Sequence, residues 1–117
     1  MGYYDFMVFT VPKARIDEYK VLAAEAGKIF VESGATRILE ALQDDVPKGR
    51  VTDFYRAVDA QADDLVLASI IEWPSKEVRD EGNKKAMAHE SFNSDRDWPF
   101  NMKTIIFGGF SHFVETK

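Results

Sequence analysis

A small set of polar residues interrupts the apolar strand patterns of this sequence. These residues are the first candidates for binding or catalysis. They carry carboxylate, guanidinium, hydroxyl and imidazole groups: Asp5, Arg37, Glu40, Ser69, Glu72, Ser111 and His112. A charge buried between two layers of a protein costs several kcal/mol unless it is paired. We therefore expect any of these side chains that point inward to pair with one another or to contact a ligand.

Glu40 is the strongest candidate of this set, because it shares a predicted strand face with two apolar residues, Ile38 and Leu42. A carboxylate in that position is a candidate ligand anchor or base, with Arg56 as a second polar anchor. The alternative is a position at the sheet edge, where the carboxylate is solvated or paired with arginine, and structural ion pairs of that kind are common.

Other candidates lie on the second predicted helix and the last predicted strand. Arg79 and Asn83 are spaced four residues apart and could orient a small anion if their helix face meets the sheet edge; a solvated face is the alternative. His112 could serve in acid–base chemistry or be a structural histidine. Because there is no cysteine and neither histidine has metal-ligand spacing, we predict neither a metal site nor a cofactor.

Two further motifs have a structural and a functional interpretation. The Asp44-Asp45 pair precedes a turn and could hold a cation, although a solvated turn is favoured. Gly108-Gly109 lies inside a predicted strand, which indicates a bulge or the close approach of another group, and we favour the bulge. Phosphate-binding loops and nucleophile elbows are absent from the sequence.

Composition limits the class of protein. The chain has 117 residues, 45% of them hydrophobic, and a net charge of −5, which predicts one domain over residues 1–117 and argues against nucleic-acid binding. The N-terminus lacks the features of a signal peptide, and no apolar stretch approaches the length of a membrane span. We therefore expect a cytoplasmic protein.

The element order predicts an α+β fold. Strands are expected over 3–11, 35–44, 65–73 and 103–115, and helices over 14–33, ended by Gly34, and from an N-cap at Ser75 to about His89. Residues 51–58 are ambiguous, and we favour extended structure there. The resulting β-α-β-β-α-β order is ferredoxin-like, with both helices on one face of an antiparallel sheet.

Apolar residues on both faces of the strands predict a homodimer. In the first strand Tyr4, Phe6 and Val8 share one face, while Met7 and Phe9 share the other. Two helices can cover only one face of the sheet, and a bare apolar sheet face exceeds what monomers usually expose. Sheet-to-sheet packing with a second copy would cover it.

Several segments, in the same order along the chain, resemble the YbaA-like family of uncharacterised bacterial proteins, in the dimeric α+β barrel superfamily. They are Gly34-Ala35, the Glu40 strand with residues 44–49, then 51–52, Phe54 and 56–58, Arg79-Asp80 with Asn83 and Met87, Pro99-Phe100, and residues 107–110. The resemblance implies a ferredoxin-like protomer and a barrel-forming homodimer, and it implies no activity. Departures from the family pattern occur at Asp53, Tyr55, Asn101 and Thr104.

Three functions fit these features. The first is a homodimer that binds a small, partly apolar molecule between sheet and helices, with Glu40 and Arg56 as anchors. The second is a cofactor-independent enzyme, a monooxygenase or isomerase, using Glu40 or His112 as base. The third is a structural or interaction module without a small-molecule ligand.

Overall fold

A computed structural model describes residues 2–92 and 95–117. The elements, in chain order, are β1 (Tyr3–Pro12), α1 (Ile16–Glu32), β2 (Arg37–Leu42), α2 (Phe54–Ala57), β3 (Asp64–Trp73), α3 (Lys76–Met87) and β4 (Ile106–Ser111), with short 3-10 turns at Lys13–Arg15 and Glu90–Phe92. The strands form one antiparallel sheet in the order β2-β3-β1-β4. This is the ferredoxin-like α+β arrangement, as the sequence predicts.

Local sequence features mark the start of α3 and the end of α1. Ser75 caps α3 by accepting a hydrogen bond from the backbone N–H of Val78 at 3.1 Å. After α1, Gly34 takes a φ of 123°, a conformation that side-chain-bearing residues rarely adopt. Buried Tyr19 and Ile29 place the apolar stripe of α1 against the sheet.

Residues 51–58 are not a strand, and our prediction of extended structure there is wrong. The segment contains the single-turn helix α2, which Asp53 caps by accepting from the backbone N–H groups of Arg56 and Gly49 at 2.8 and 3.1 Å. The Tyr55 hydroxyl donates to the carbonyl of Val46 at 2.6 Å, so the loop folds back upon itself. Side chains that bond nearby backbone in this way compete with sheet formation.

The last strand is shorter than predicted, and the predicted glycine bulge does not form. Gly108 pairs with Phe6 and Gly109 with Asp5 in an unbroken register. Two side chains, rather than another backbone or a ligand, come close to Gly109: a Cβ atom there would lie 2.4 Å from the Tyr3 hydroxyl and 2.9 Å from Nη2 of Arg79. The glycine is needed because side chains cross directly over it.

The two sheet faces differ in how they are covered. One face carries the core under α1 and α3, including Phe9, Leu67 and Trp73, which are at most 5% exposed. The other face carries large apolar side chains that stay open: Phe6, Leu39, Ile106 and Phe110 are 43–56% exposed. This uncovered surface, which we call the open face, matches the pattern expected from the strand sequences.

Residues 98–100, between α3 and β4, pack on the helix side of the sheet. Pro99 is fully buried, and the ring of Phe100 packs against those of Phe9 and Tyr19 with centroids 5.7 and 6.2 Å apart. Trp98 lies next to Phe100 at 6.1 Å. These contacts hold residues 98–100 against α1 and the sheet. We call this stretch the anchored segment.

Candidate functional site

A cavity of about 620 Å³ lies between α1, the helix side of the sheet and the anchored segment. Most of its lining is aromatic, aliphatic or methionine side chain. The lining residues are Met7, Phe9, Tyr19, Ala23, Ala26, Phe30, Ile38, Glu40, Ser69, Met87, Phe92, Asp95, Arg96, Trp98, Phe100, Met102 and Ile105. Its size and predominantly apolar lining are typical of small-molecule sites.

Glu40 is the strand carboxylate that this cavity contains. The β2–β3 register places Ile38 opposite Ile71, Glu40 opposite Ser69 and Leu42 opposite Leu67, all on the helix side. Surrounding protein atoms raise the pKa of Glu40 above its ordinary value, and a hydrogen bond from Tyr19 offsets part of that rise. The carboxyl group is thus biased towards its protonated form.

Tyr19 supplies that hydrogen bond from the buried face of α1. Its hydroxyl donates to Oε1 of Glu40, while its ring packs edge-on against Phe9 with centroids 5.6 Å apart. Burial, together with the hydrogen bond to Glu40, raises the pKa of the Tyr19 hydroxyl well above its usual range. Tyr19 therefore stays protonated and acts as a fixed donor.

Ser69 is a second polar group on the cavity floor. It lies on β3 between Glu40 on one side and Met7 on the other, and only 4% of the residue is exposed. Its hydroxyl finds no hydrogen-bond partner among the described residues. A buried hydroxyl without a partner costs about 1–3 kcal/mol, so this one is notable.

Glu40 is also reached from outside the cavity. Because β2 is an edge strand, the residue borders a shallow groove between α1 and β2 lined by Gly27, Lys28 and Arg37 among others. As a whole residue Glu40 is therefore exposed in the single chain, although its Oε1 accepts from Tyr19. The carboxylate links the apolar cavity on one side with an open edge on the other.

The structure places Arg56 away from the cavity. Its guanidinium donates to the carbonyl of Gly49 at 2.8 Å and lies 3.4 Å from the Asp53 carboxylate. These contacts close the loop around α2. Glu40 and Arg56 are not brought together, and of this predicted pair only Glu40 lines the cavity.

His112 lies on the opposite side of the sheet. Its Nδ1 and the hydroxyl of Tyr4 are 2.8 Å apart, and its Nε2 is 3.7 Å from the Glu115 carboxylate. Tyr4 belongs to the open face, across the sheet from the cavity. His112 therefore cannot act on a molecule held beside Glu40.

Arg79 is committed to carboxylates rather than to an open anion site. Nη2 and Nε of Arg79 donate to Asp5 at 2.8 and 3.2 Å, and Nη1 donates to Asp80 at 3.0 Å. Asp5, which is 8% exposed, also accepts from Nε1 of Trp73 at 3.0 Å. This partly buried ion pair joins α3 to the sheet, and it raises the pKa of the Arg79 guanidinium further above its usual range.

None of the remaining predicted site residues lines the cavity. Asn83 is half-buried on α3, outside the cavity lining, and Asp44 and Asp45 are exposed in a bend. Within residues 2–92 and 95–117 no group of three or more histidine or acidic side chains could hold a metal ion. None of the helices described over those ranges is long and apolar enough to span a membrane.

Sequence reasoning finds Glu40 but not its partner. The periodicity of α1 assigns Tyr19 to the apolar stripe, where its ring indeed packs, and gives its hydroxyl no role. A tyrosine on a buried helix face needs a hydrogen-bond partner for its hydroxyl, and that requirement is the signal that could have found it. The pairing of Asp5 with Arg79 joins residues 74 positions apart and has no local signal.

Comparison with known proteins places the chain in a family. Residues 2–102 match the model of DUF1428, a family described as proteins of unknown function. The chain belongs to the DUF1428 family. It is 43% identical over 116 residues to the uncharacterised protein YbaA of Escherichia coli K12, covering 98% of this chain and 99% of YbaA. YbaA of Shigella flexneri matches it equally well, which agrees with the resemblance seen in the sequence.

Among solved structures, SnoaB of Streptomyces nogalater, a cofactor-independent oxygenase solved as a mutant, has a similar fold. The TM-score is 0.58 at 15% identity, over 97% of this chain and 95% of SnoaB. The likeness shows that the two chains share an α+β fold. At this level of identity it concerns the fold alone.

Proposed function

We propose that this protein is a homodimer that binds a small, partly apolar molecule in the cavity beside Glu40. The observation that carries the proposal is the meeting of three features at one place: an apolar cavity of about 620 Å³, a carboxyl group with a raised pKa, and a buried serine hydroxyl without a described partner. Apolar walls with a few convergent polar groups are the usual form of a ligand site.

The lining indicates what such a molecule must look like. Phe9, Phe30, Phe92, Trp98 and Phe100 offer ring faces and edges to a flat apolar body. The single basic side chain in the described lining, Arg96, lies 5.3 Å from the ring of Trp98 and 3.3 Å from Glu25. The polar end of the ligand would therefore sit at Glu40 rather than at Arg96.

The homodimer is supported by the open face. Phe6 and Phe110 pack edge-to-face there at 5.2 Å while remaining 43% and 56% exposed. Exposed apolar surface of this extent marks an interaction site in most proteins. A second copy that presents the same face satisfies both partners through an isologous contact.

Binding can be tested by titrating ¹⁵N-labelled protein with 2-naphthol, a flat apolar probe with one polar group. We expect shifts in the amides of Tyr19, Ser69 and Phe100, and loss of those shifts in Ala26→Trp, which fills the cavity from α1. The matched control, Ala62→Trp, lies in an exposed turn and should bind as wild type. Shifts that persist in Ala26→Trp would overturn the assignment of this cavity.

A second candidate function is proton transfer without a cofactor. Glu40 favours it, because a carboxyl group with a raised pKa in an apolar site suits general acid–base catalysis near neutral pH. The carboxylate would take a proton from a carbon next to a carbonyl and return it, as an isomerase does; the cofactor-independent activity of SnoaB belongs to that protein.

Proton transfer is measured by incubating the protein with 2-tetralone in D₂O and following deuterium incorporation next to the carbonyl. Exchange faster than in buffer, abolished by Glu40→Gln but not by Glu81→Gln on the exposed face of α3, would support the enzyme. Equal exchange with wild type and Glu40→Gln would rule out proton transfer by Glu40, and the binding function would remain. A cavity that takes up no probe would instead favour the interaction module.

A further inference from the structure

The cavity floor presents two polar groups side by side, and this arrangement selects among ligands. Glu40 on β2 and Ser69 on β3 are directly opposite in the register. Directly opposed residues in an antiparallel sheet have Cβ atoms about 4.5–5.5 Å apart. One atom of a ligand can therefore lie within hydrogen-bonding reach of both side chains.

Both groups have hydrogen-bonding capacity that no described residue uses. Oε1 of Glu40 receives the Tyr19 hydroxyl, and no described residue donates to Oε2. Ser69 has a hydroxyl that can donate one hydrogen bond and accept others, and no described residue uses it. The floor thus offers a donor on β3 and, on β2, a carboxyl oxygen that accepts when Glu40 is ionised and donates when it is protonated.

The geometry points to a neutral hydroxyl group at the buried end of the ligand, donating to Glu40 and accepting from Ser69, and this inference rests on the proposed function. Ser69 is then the residue that specifies the hydroxyl. An analogue that lacks the hydroxyl should bind more weakly, because it leaves the hydroxyl of Ser69 and the carboxyl group of Glu40 without hydrogen-bond partners.

Charged and purely accepting groups fit this floor less well. A carboxylate on the ligand would meet two acidic residues of the lining, Asp95 and Glu40, and like charges repel whenever both groups are ionised. A ligand ammonium can pair only with an ionised Glu40, whose charge its surroundings disfavour, whereas a hydroxyl can pair with Glu40 in either protonation state. A carbonyl oxygen can accept from Ser69 but offers no donor to an ionised Glu40.

The test uses four probes that share one ring system: 2-naphthol, 2-methylnaphthalene, 2-naphthoate and 2-naphthylmethylamine. Dissociation constants are measured by ¹⁵N NMR titration on wild type, Ser69→Ala, Ser69→Thr and the control Ser111→Ala, which changes an exposed serine of β4. Ser69→Thr keeps the hydroxyl and reports whether it, rather than the packing of serine, decides selectivity.

We expect 2-naphthol to bind wild type most tightly of the four. Loss of one hydrogen bond in Ser69→Ala should weaken 2-naphthol by about 5- to 10-fold, with 2-methylnaphthalene changed less than about twofold. Ser69→Thr should keep the preference for 2-naphthol over 2-methylnaphthalene, and Ser111→Ala should match wild type.

Two kinds of result would overturn the inference, and they are distinguishable. If the probes bind but a charged one binds most tightly, or Ser69→Ala weakens 2-naphthol and 2-methylnaphthalene equally, the role of Ser69 is wrong and the binding function stands. If none of the four probes shifts the cavity amides of wild-type protein, the binding function fails and the inference fails with it.

Discussion

The hydroxyl of Tyr19 on α1 donates a hydrogen bond to Oε1 of Glu40 on β2, at the wall of the apolar cavity. This bond joins the helix layer to the edge strand and stabilises the ionised form of a carboxyl group that its surroundings push towards neutrality. The pKa of Glu40 therefore reflects two opposing effects: desolvation, which raises it, and the hydrogen bond from Tyr19, which lowers it.

Tyr19→Phe should raise the pKa of Glu40 further, because it removes the hydrogen bond that lowers it and leaves the desolvation that raises it. Following the ¹³C shift of the Glu40 carboxyl group against pH measures this directly. Tyr4→Phe serves as the control, since its hydroxyl bonds His112 across the sheet. A Glu40 titration that is unchanged in Tyr19→Phe would show that the bond does not form in solution.

The pH dependence of stability should differ between wild type and Glu40→Gln. A carboxyl group with a raised pKa in the folded state binds more protons when folded, so its contribution is fully present below the unfolded pKa and is lost as pH rises through the folded pKa. The free energy of unfolding of wild type should therefore fall relative to Glu40→Gln from about pH 4.3 upwards. Urea titrations at several pH values measure the difference, and a constant or opposite trend would contradict the assigned shift.

Gly109→Ala should destabilise the fold, whereas Gly108→Ala should have little effect. A Cβ at Gly109 would lie 2.4 Å from the Tyr3 hydroxyl and 2.9 Å from Arg79, but one at Gly108 would meet only Phe110 at 3.6 Å. Overpacking of this kind costs about 1–3 kcal/mol, measurable by urea unfolding. Equal stabilities of the two variants would mean that Tyr3 and Arg79 move aside freely.

Much of the fold follows from local patterns in the sequence. The alternation in β1 and β3 and the stripe of α1 assign elements and faces, because the same periodicities decide which side chains can be buried together. The sequence also shows that Glu40 shares a face with Ile38 and Leu42, which the register confirms.

The errors arise where side chains bond locally or over long separations. Asp53 caps a short helix, so residues 51–58 do not form the predicted extended structure. Gly109 stays in the regular strand register and leaves space for the Arg79 side chain, so no bulge forms. Residue type alone groups Arg56 and His112 with Glu40, although the former closes a loop and the latter lies across the sheet. Such placements depend on tertiary contacts that residue type and spacing do not encode.

The proposed dimer predicts that Phe6→Glu will produce a folded monomer. The substitution puts a charge in the middle of the open face, where Phe6 is 43% exposed in the protomer. Light scattering should report twice the 13.3 kDa chain mass for wild type and once that mass for the variant. Val51→Glu, on an 89% exposed loop residue, should remain dimeric, and a monomeric wild type at micromolar concentration would contradict the dimer.

Native mass spectrometry of protein purified gently from cells tests the central claim most directly. Wild-type protein should carry a bound small molecule whose mass disappears on denaturation, and Ala26→Trp, with its cavity filled, should not carry it. Ala62→Trp should retain the same bound mass as wild type. A bound mass that is equally present in wild type and Ala26→Trp, or absent from wild type altogether, would contradict a ligand held beside Glu40.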